Sequence, residues 1–361
     1  MAKLLKLDNE YISLLAEIKS KIRRTQIKAA IAVNSALISF YWDLGKMIVE
    51  QQARSKWGNK LIEQLSADLK IEFPNLAGFS RTNLYYIRQF YSFYNNSAAL
   101  IKDSSIVHHP GGQFRAFVQQ IGGQIPWRHH IEILSKTKDP TEARFYIQKS
   151  VENNWSRDIL ALQIKSRLFQ RQGKAITNFK KTMPEPLSDL AQQTLKDPYI
   201  FDFLTLAESS KEKDVENQLL DHLTKFLLEL GKGFAFVGKQ YRLEIGQREF
   251  FVDLLFYHIP LKCYVVIELK NTAFAPEHTG KLNFYLSAID DLLTGQEDRP
   301  SIGILICRDK NNLEVEYALK NINKPIGVSE FALTKTLPKA LKSSLPTIEE
   351  FEVEIKKIRK K

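Results

Sequence analysis

The hydrophobic period changes once along this chain, and that change limits the architecture more than any other feature. Through the first 170 residues apolar side chains recur three and four apart. They do so over Leu4–Ile22, Ile27–Gln51, Lys60–Ile71, Arg81–Tyr94, Pro126–Leu134, Pro140–Asn153 and Ser156–Gln170. That is the period of helices with one buried face. Past Pro198 the reading is different. An amphipathic helix over Asp214–Leu230, with Asp214 as N-cap and Gly231 past its end, leads into three strand-like runs, Phe234–Tyr241, Glu249–Tyr257 and Lys262–Lys270. A helix over Pro276–Leu293, a strand at Ser301–Cys307, a helix near Leu313–Asn321 and a strand near Gly327–Leu333 complete the order. The expectation is an all-α amino-terminal domain followed by an α/β domain with an αβββαβ core and a mixed sheet. At 361 residues the chain is also too long for one ordinary core. Periodicity weakens between Gln172 and Pro198, where Pro184, Pro186 and Pro198 cluster, so the predicted domains are 1–180 and 181–361.

Charge divides at nearly the same place. The net charge is +11, but residues 1–180 hold 27 Lys and Arg against 14 Asp and Glu, or +13, while 181–361 hold 25 against 27, or −2. A basic first half suits a polyanion, nucleic acid or an anionic membrane surface, although a solvated, solubility-giving surface has the same composition. The most apolar early stretch, Ala29–Trp42, is short and interrupted by Asn34, Ser35 and Ser39, so no bilayer span is expected. Two cysteines, Cys263 and Cys307, exclude a disulfide framework and a Cys-rich zinc site. A reducing, cytoplasmic compartment is the plain expectation.

Two of the strand-like runs carry ionisable residues where apolar ones belong. Arg248–Tyr257 sets Asp253 among six flanking apolar side chains, and Cys263–Lys270 ends in Glu268-Leu269-Lys270. Strand side chains alternate, so Glu268 and Lys270 share a face. In an antiparallel hairpin facing residues have a constant index sum. Asp253 opposite Glu268 gives 521, which centres the turn on Pro260 and Leu261 and makes an even-length loop. Two carboxylates held side by side in a partly dry site need a cation or a proton between them. Their hard oxygens, with the Leu269 carbonyl as a third donor, suit Mg²⁺ or Mn²⁺. Lys270 could orient or help deprotonate water, or hold a phosphate oxygen. This constellation points to metal-assisted phosphodiester hydrolysis. A structural ion pair between Lys270 and a carboxylate is the plainer reading of the same residues.

Asp253 with Glu268-Leu269-Lys270, in a helix, three strands, helix, strand setting, resembles the PD-(D/E)XK nuclease superfamily. The segment REFFVDLLFYHIPLKCYVVIELK, followed by GKLNFYLSAIDDLL, is similar to the bacterial YhcG-type nucleases. So are YWDLGKMIVEQQ, WGNKLIEQLSADL and FPNLAGFSRTNLYYIRQFY in the first domain. The resemblance covers nearly the whole chain and implies a restriction-endonuclease-like core behind a helical domain. Val252 stands where the superfamily's name has Pro. The resemblance also implies an auxiliary acid from the first helix, for which Glu216 is the candidate. A solvated acid near a helix N-terminus is the alternative. A polar residue near the phosphate is implied on the second helix, where Lys281 fits and Tyr285, one turn on, reads as packing.

In the basic half, Lys60–Ile71, a turn through Pro74 and Gly78, and Ser80–Tyr94 are compatible with a helix-turn-helix or with an ordinary helical hairpin. Leu84, Ile87, Tyr91 and Tyr94 form the inner stripe, and Arg81, Asn83 and Arg88 would point outward toward DNA. Other signals carry less. Gly233–Gln240 nearly matches a phosphate-binding loop but precedes a strand instead of a helix. His108-His109 and His129-His130 lack a partner at zinc spacing and read as loop and helix-surface residues. The cysteines read as small core hydrophobes. Two functions remain: a metal-dependent endonuclease acting on DNA, or a non-catalytic nucleic-acid-binding or assembly protein with the same fold. Because one site per chain must cut two strands of a duplex, a homodimer is also expected.

Overall fold

The computed structural model describes residues 9–54, 60–95, 121–204 and 211–333. The loop expected over Asn95–Gln124, with His108-His109, lies almost wholly outside them, as does the basic tail Ile355–Lys361. The chain forms two compact units, Met1–Ile164 and Lys165–Lys361.

The first unit is helical: α1 Asn9–Arg54, α2 Lys60–Glu72, α3 Arg81–Asn95, a 3-10 turn Gly122–Gln124, α4 Trp127–Lys136, α5 Pro140–Asn153 and α6 Arg157–Lys165. The two helices expected over Leu4–Ile22 and Ile27–Gln51 are one continuous α1. The apolar gap at Arg23-Arg24-Thr25-Gln26 contains no Gly or Pro, so it is a solvated turn of helix and not a break. The core gathers Tyr41, Ile48, Ile62, Leu84 and Ile87. Gly45 lets α1 approach α3 closely, since a Cβ there would meet the Ile87 carbonyl oxygen at 2.5 Å. The predicted inner stripe of α3 is buried as expected.

The second unit begins with α7 Leu168–Arg171, β1 Ile176–Thr177, α8 Phe179–Thr182, α9 Leu187–Thr194 and β2 Tyr199–Ile200. It continues with α10 Glu212–Asp221, α11 Leu223–Leu230, β3 Phe234–Ile245, β4 Arg248–His258 and β5 Cys263–Ala273. Last come α12 Pro276–Leu292, β6 Ile302–Asp309, α13 Asn312–Leu319 and β7 Ile326–Ala332. The sheet order is β1-β7-β6-β5-β4-β3, with β2 also on β7. The β3-β4-β5 meander is antiparallel, and β5, β6 and β7 are parallel, so the sheet is mixed as expected. Apolar clusters lie on both faces. One gathers Val215, Leu219, Phe226 and Phe256, the other Val266, Leu282, Leu286 and Leu305. Burial from both sides explains why β5 and β6 read as near-continuous apolar runs.

The units divide near Ile164, earlier than the 180/181 boundary read from the sequence. Residues 165–204 belong structurally to the sheet: β1 pairs with β7, and a buried ion cluster pins the segment down. Arg171 Nη1 lies 2.6 Å from Glu229 Oε1, and Lys196 Nζ lies 3.9 Å from its other oxygen. The Ile200 N–H also donates to Glu229. Two predicted helices are broken. Ser156–Gln170 divides at Arg167, which takes a left-handed conformation at φ 54°. Asp214–Leu230 divides at His222 and begins at Glu212. Asp214 therefore sits inside the first turn, where its carboxylate accepts from the Lys211 N–H and does not serve as N-cap. The near phosphate-loop sequence lies in β3, as its context requires.

Candidate active site

The β4–β5 ladder runs from His258/Cys263 to Leu254/Ile267, and every pair has the index sum 521. Asp253 and Glu268 are the next facing positions. There the strands stop pairing through the main chain, and the Leu269 N–H donates to Asp253 Oδ2 at 3.0 Å. On the other side of β4, Lys239 faces Leu254 and Tyr241 faces Val252, so Gln240 stands opposite Asp253. Glu268 is in register with Leu305 of β6. One transverse row, Gln240, Asp253 and Glu268, therefore crosses three strands where the β4–β5 ladder opens.

Glu268 is 1% exposed. Its Oε2 lies 2.9 Å from Lys281 Nζ, supplied by α12, and 3.8 Å from Lys270 Nζ. Its Oε1 is buried without a hydrogen-bond partner among the described residues. Burial first, and then the nearby Asp253 charge, push the Glu268 carboxyl up to about 7, against the pull of the two lysines. Burial alone would lower Lys281, but the Glu268 carboxylate beside it holds the ammonium above its ordinary range. Lys281 also lies over the Tyr285 ring, which is buried in the sheet-facing cluster as expected.

Helix α10 packs on β5 and brings two acids one turn apart. Glu212 Oε2 lies 2.8 Å from Lys270 Nζ, which also donates to the Leu269 carbonyl at 3.0 Å. Glu216 is buried, which excludes its reading as a solvated helix acid. Its Oε2 accepts from Gln240 Nε2 at 2.7 Å. Burial raises its pKa, the Gln240 bond opposes that shift, and Asp253 adds to it. Among the described residues no three His, Cys, Asp or Glu side chains stand close enough to hold a metal ion together. The donor set on offer is two carboxylates and a main-chain carbonyl, all hard oxygens, one of them an orphaned buried Oε1. That chemistry fits Mg²⁺ or Mn²⁺.

Residues 192–346 match the family described as the YhcG PDDEXK nuclease domain, and residues 17–171 match the DUF1016 N-terminal domain. The chain is 31% identical over 322 residues to the Escherichia coli (strain K12) protein named "Putative nuclease YhcG", covering 84% of each. The chain belongs to the YhcG family of PD-(D/E)XK nucleases. A repair endonuclease from Pyrococcus abyssi aligns with 36% of the YhcG-family chain and 49% of its own at a TM-score of 0.24 and 14% identity, too low to carry an argument. No described helix of this YhcG-family chain is long and apolar enough to cross a membrane.

The three residues expected to read DNA take different positions in the helical unit. Arg81 is exposed and pairs with Glu63 at 2.8 Å. Arg88 is half-buried and reaches Gln52, and both guanidinium groups lie over the Tyr85 ring. Asn83 does not point outward. Its amide nitrogen donates to the Gly78 carbonyl and its oxygen accepts from Trp127 Nε1, so it is a fastening inside the unit. His129 and His130 are likewise buried and not on the helix surface, bonded to the Trp155 and Gly122 carbonyls. Cys263 and Cys307 are buried, and burial pushes each thiol up to about 12. Sequence reasoning missed Glu212 and Gln240. Glu212 was within reach, four residues before Glu216, whereas nothing in the run Gly238-Lys239-Gln240 marks Gln240 out.

Proposed function

We propose that this chain is a divalent-metal-dependent endonuclease that hydrolyses phosphodiester bonds of DNA, with Mg²⁺ or Mn²⁺ as cofactor. Asp253, Glu268 and the Leu269 carbonyl would hold the ion. When bound, it supplies positive charge to the phosphoryl group and acidifies water. Lys270 has its ammonium on the Glu268 side of the site and donates to an attacking water or a phosphate oxygen. Lys281 and Glu216 are auxiliary: Lys281 balances Glu268, and Glu216 adds negative charge beside Asp253. The observation that carries this reading is the facing pair of Asp253 and Glu268 with a buried, unpartnered Glu268 oxygen. A buried carboxylate oxygen with no partner among the described residues is costly in a network built only for stability.

The basic residues of 1–180 supply the electrostatic grip on DNA, with Arg81 and Arg88 among the phosphate contacts, and two chains act together on a duplex. One observation favours a non-catalytic binding protein instead, namely that both lysines are already ion-paired. Plasmid, branched DNA and RNA incubated with Mg²⁺, Mn²⁺ or EDTA separate the readings. The nuclease reading expects metal-dependent cleavage of DNA that Asp253→Ala abolishes. No metal-dependent loss of any substrate supports the binding protein.

A further inference from the structure

Gln240 carries no role in the proposed chemistry, yet three observations single it out. It is a non-glycine residue at φ 42°, inside an otherwise extended edge strand. Left-handed backbone is strained for residues with a Cβ, and such strain concentrates at functional positions. It also occupies the position facing Asp253, between the Lys239 and Leu254 pair and the Tyr241 and Val252 pair. Finally, its side chain, on an exposed residue, turns to donate to buried Glu216 at 2.7 Å. A carboxylate only accepts, so it is the amide N–H₂ of Gln240 that meets it.

Resting on the nuclease reading, we infer that Gln240 is a positioning residue: the left-handed turn of β3 at Gln240 aims its amide at Glu216 and fixes that carboxylate beside Asp253. Glu216 does not stand close enough to Asp253 and Glu268 to complete a three-carboxylate cage. Its service to the site is therefore to the water around the ion, and that service depends on orientation. An acid with free rotamers would orient water poorly, whereas one held by a directed hydrogen bond orients it well. Helix α10 supplies the acid and β3 supplies its clamp, so the edge strand has a part in the site that the Asp and Glu-x-Lys motif does not contain.

The test uses the full chain and two readouts, Mn²⁺ affinity by titration calorimetry and Mg²⁺-dependent cleavage resolved into kcat and KM. Gln240→Leu should weaken Mn²⁺ binding and lower kcat by about tenfold, the scale of a hydrogen bond to a charged group. Gln240→Glu keeps the shape but replaces the donor with a second carboxylate, and should lose more. Gln240→Gly removes the side chain while relieving the backbone, so its loss should match that of Gln240→Leu without any loss of melting temperature. In a Glu216→Gln background, Gln240→Leu should have no further effect, because the two act as one unit. Equal losses from Gln240→Leu in both backgrounds would overturn the inference, as would wild-type affinity and kcat in Gln240→Glu. Asp253→Asn separates the two levels. If it abolishes Mn²⁺ binding and cleavage while Gln240 and Glu216 act additively, only the positioning role falls. If Asp253→Asn changes neither readout, the nuclease reading falls and this inference with it.

Discussion

Replacing Glu268 with Gln should stabilise the metal-free protein above neutral pH, and by an amount the structure sets. The carboxyl is pushed from an ordinary 4.5 up to about 7 by burial and by Asp253. A raised acid favours the unfolded chain once that chain can ionise. Below pH 4.5 both states hold the proton and nothing is lost. Between 4.5 and 7 only the unfolded state releases it, so stability falls as pH rises, and above 7 the whole cost is present. That cost is roughly 3 kcal/mol at 1.36 kcal/mol for each unit. In Glu268→Gln, Lys281, with 43% of its side chain exposed, turns toward water, and Lys270 keeps Glu212. About 2 kcal/mol of gain should remain, a rise of roughly 4–8 °C in melting temperature for a unit of this size. The assay is thermal and urea unfolding with EDTA at pH 5 and pH 8, following the transition that melts the sheet. The variant should match the wild type near pH 5 and exceed it at pH 8. Equal destabilisation at both values would show that the Lys281 ion pair outweighs the burial of Glu268, and the reasoning would fail.

The remaining predictions concern other buried charges and the basic unit. Glu229→Ala leaves Arg171 and Lys196 buried without their carboxylate, so urea unfolding should show a loss of about 3–5 kcal/mol. Burial lowers His130 from 6.5 to about 4. The unfolded chain therefore takes up the proton first, and the stability this gives, roughly 3 kcal/mol, is complete above pH 6.5 and lost on acidification toward pH 4. His130→Gln does not titrate and should flatten the fall in unfolding free energy between those values; an unchanged slope would refute this. If Arg81 and Arg88 each neutralise one phosphate, replacing both with Ala should reduce the slope of log affinity against log salt by about two, because each contact contributes about −0.9 on duplex DNA. An unchanged slope with altered assembly would assign them to a protein interface.

Much of the second unit could be read from the sequence because its strands state their own register. An even loop keeps Asp253 and Glu268 on one face, and the loop centred on Pro260 and Leu261 sets them directly opposite; the observed ladder has that sum. What could not be read depends on contacts distant in sequence. The two-residue strands β1 and β2 are too short to carry a period and exist only because β7 offers them an edge. Asn83 looked outward because helical spacing places it beside Arg81, yet Trp127 and the Gly78 carbonyl claim both ends of its amide. His129 and His130 carry no apolar signature, and only their carbonyl partners permit burial. The acidic site shows the same division. Its strand residues, Asp253, Glu268 and Lys270, follow from alternation, while Gln240 enters through a backbone conformation that no residue type announces.

Four carboxylates, Glu212, Glu216, Asp253 and Glu268, surround two ammonium groups, Lys270 and Lys281. The lysines engage Glu212 and Glu268. The direct hydrogen-bond donors to the other two acids are neutral, an amide side chain for Glu216 and a main-chain N–H for Asp253. With every group ionised these six carry two negative charges in excess, offset in part by Lys213 and Lys239, whose charges lower the pKa of Glu216. Without a cation the cheapest relief is a proton, and the most deeply buried acid, Glu268, is the one whose affinity for a proton is raised to about 7. A fold selected only for stability would have removed that frustration, since an apolar residue of similar volume at a buried charged position is often neutral or stabilising. Retaining it beside an unpartnered oxygen makes physical sense where a cation is meant to take the proton's place, and the stability that Glu268→Gln should recover measures what the site gives up to stay ready for one.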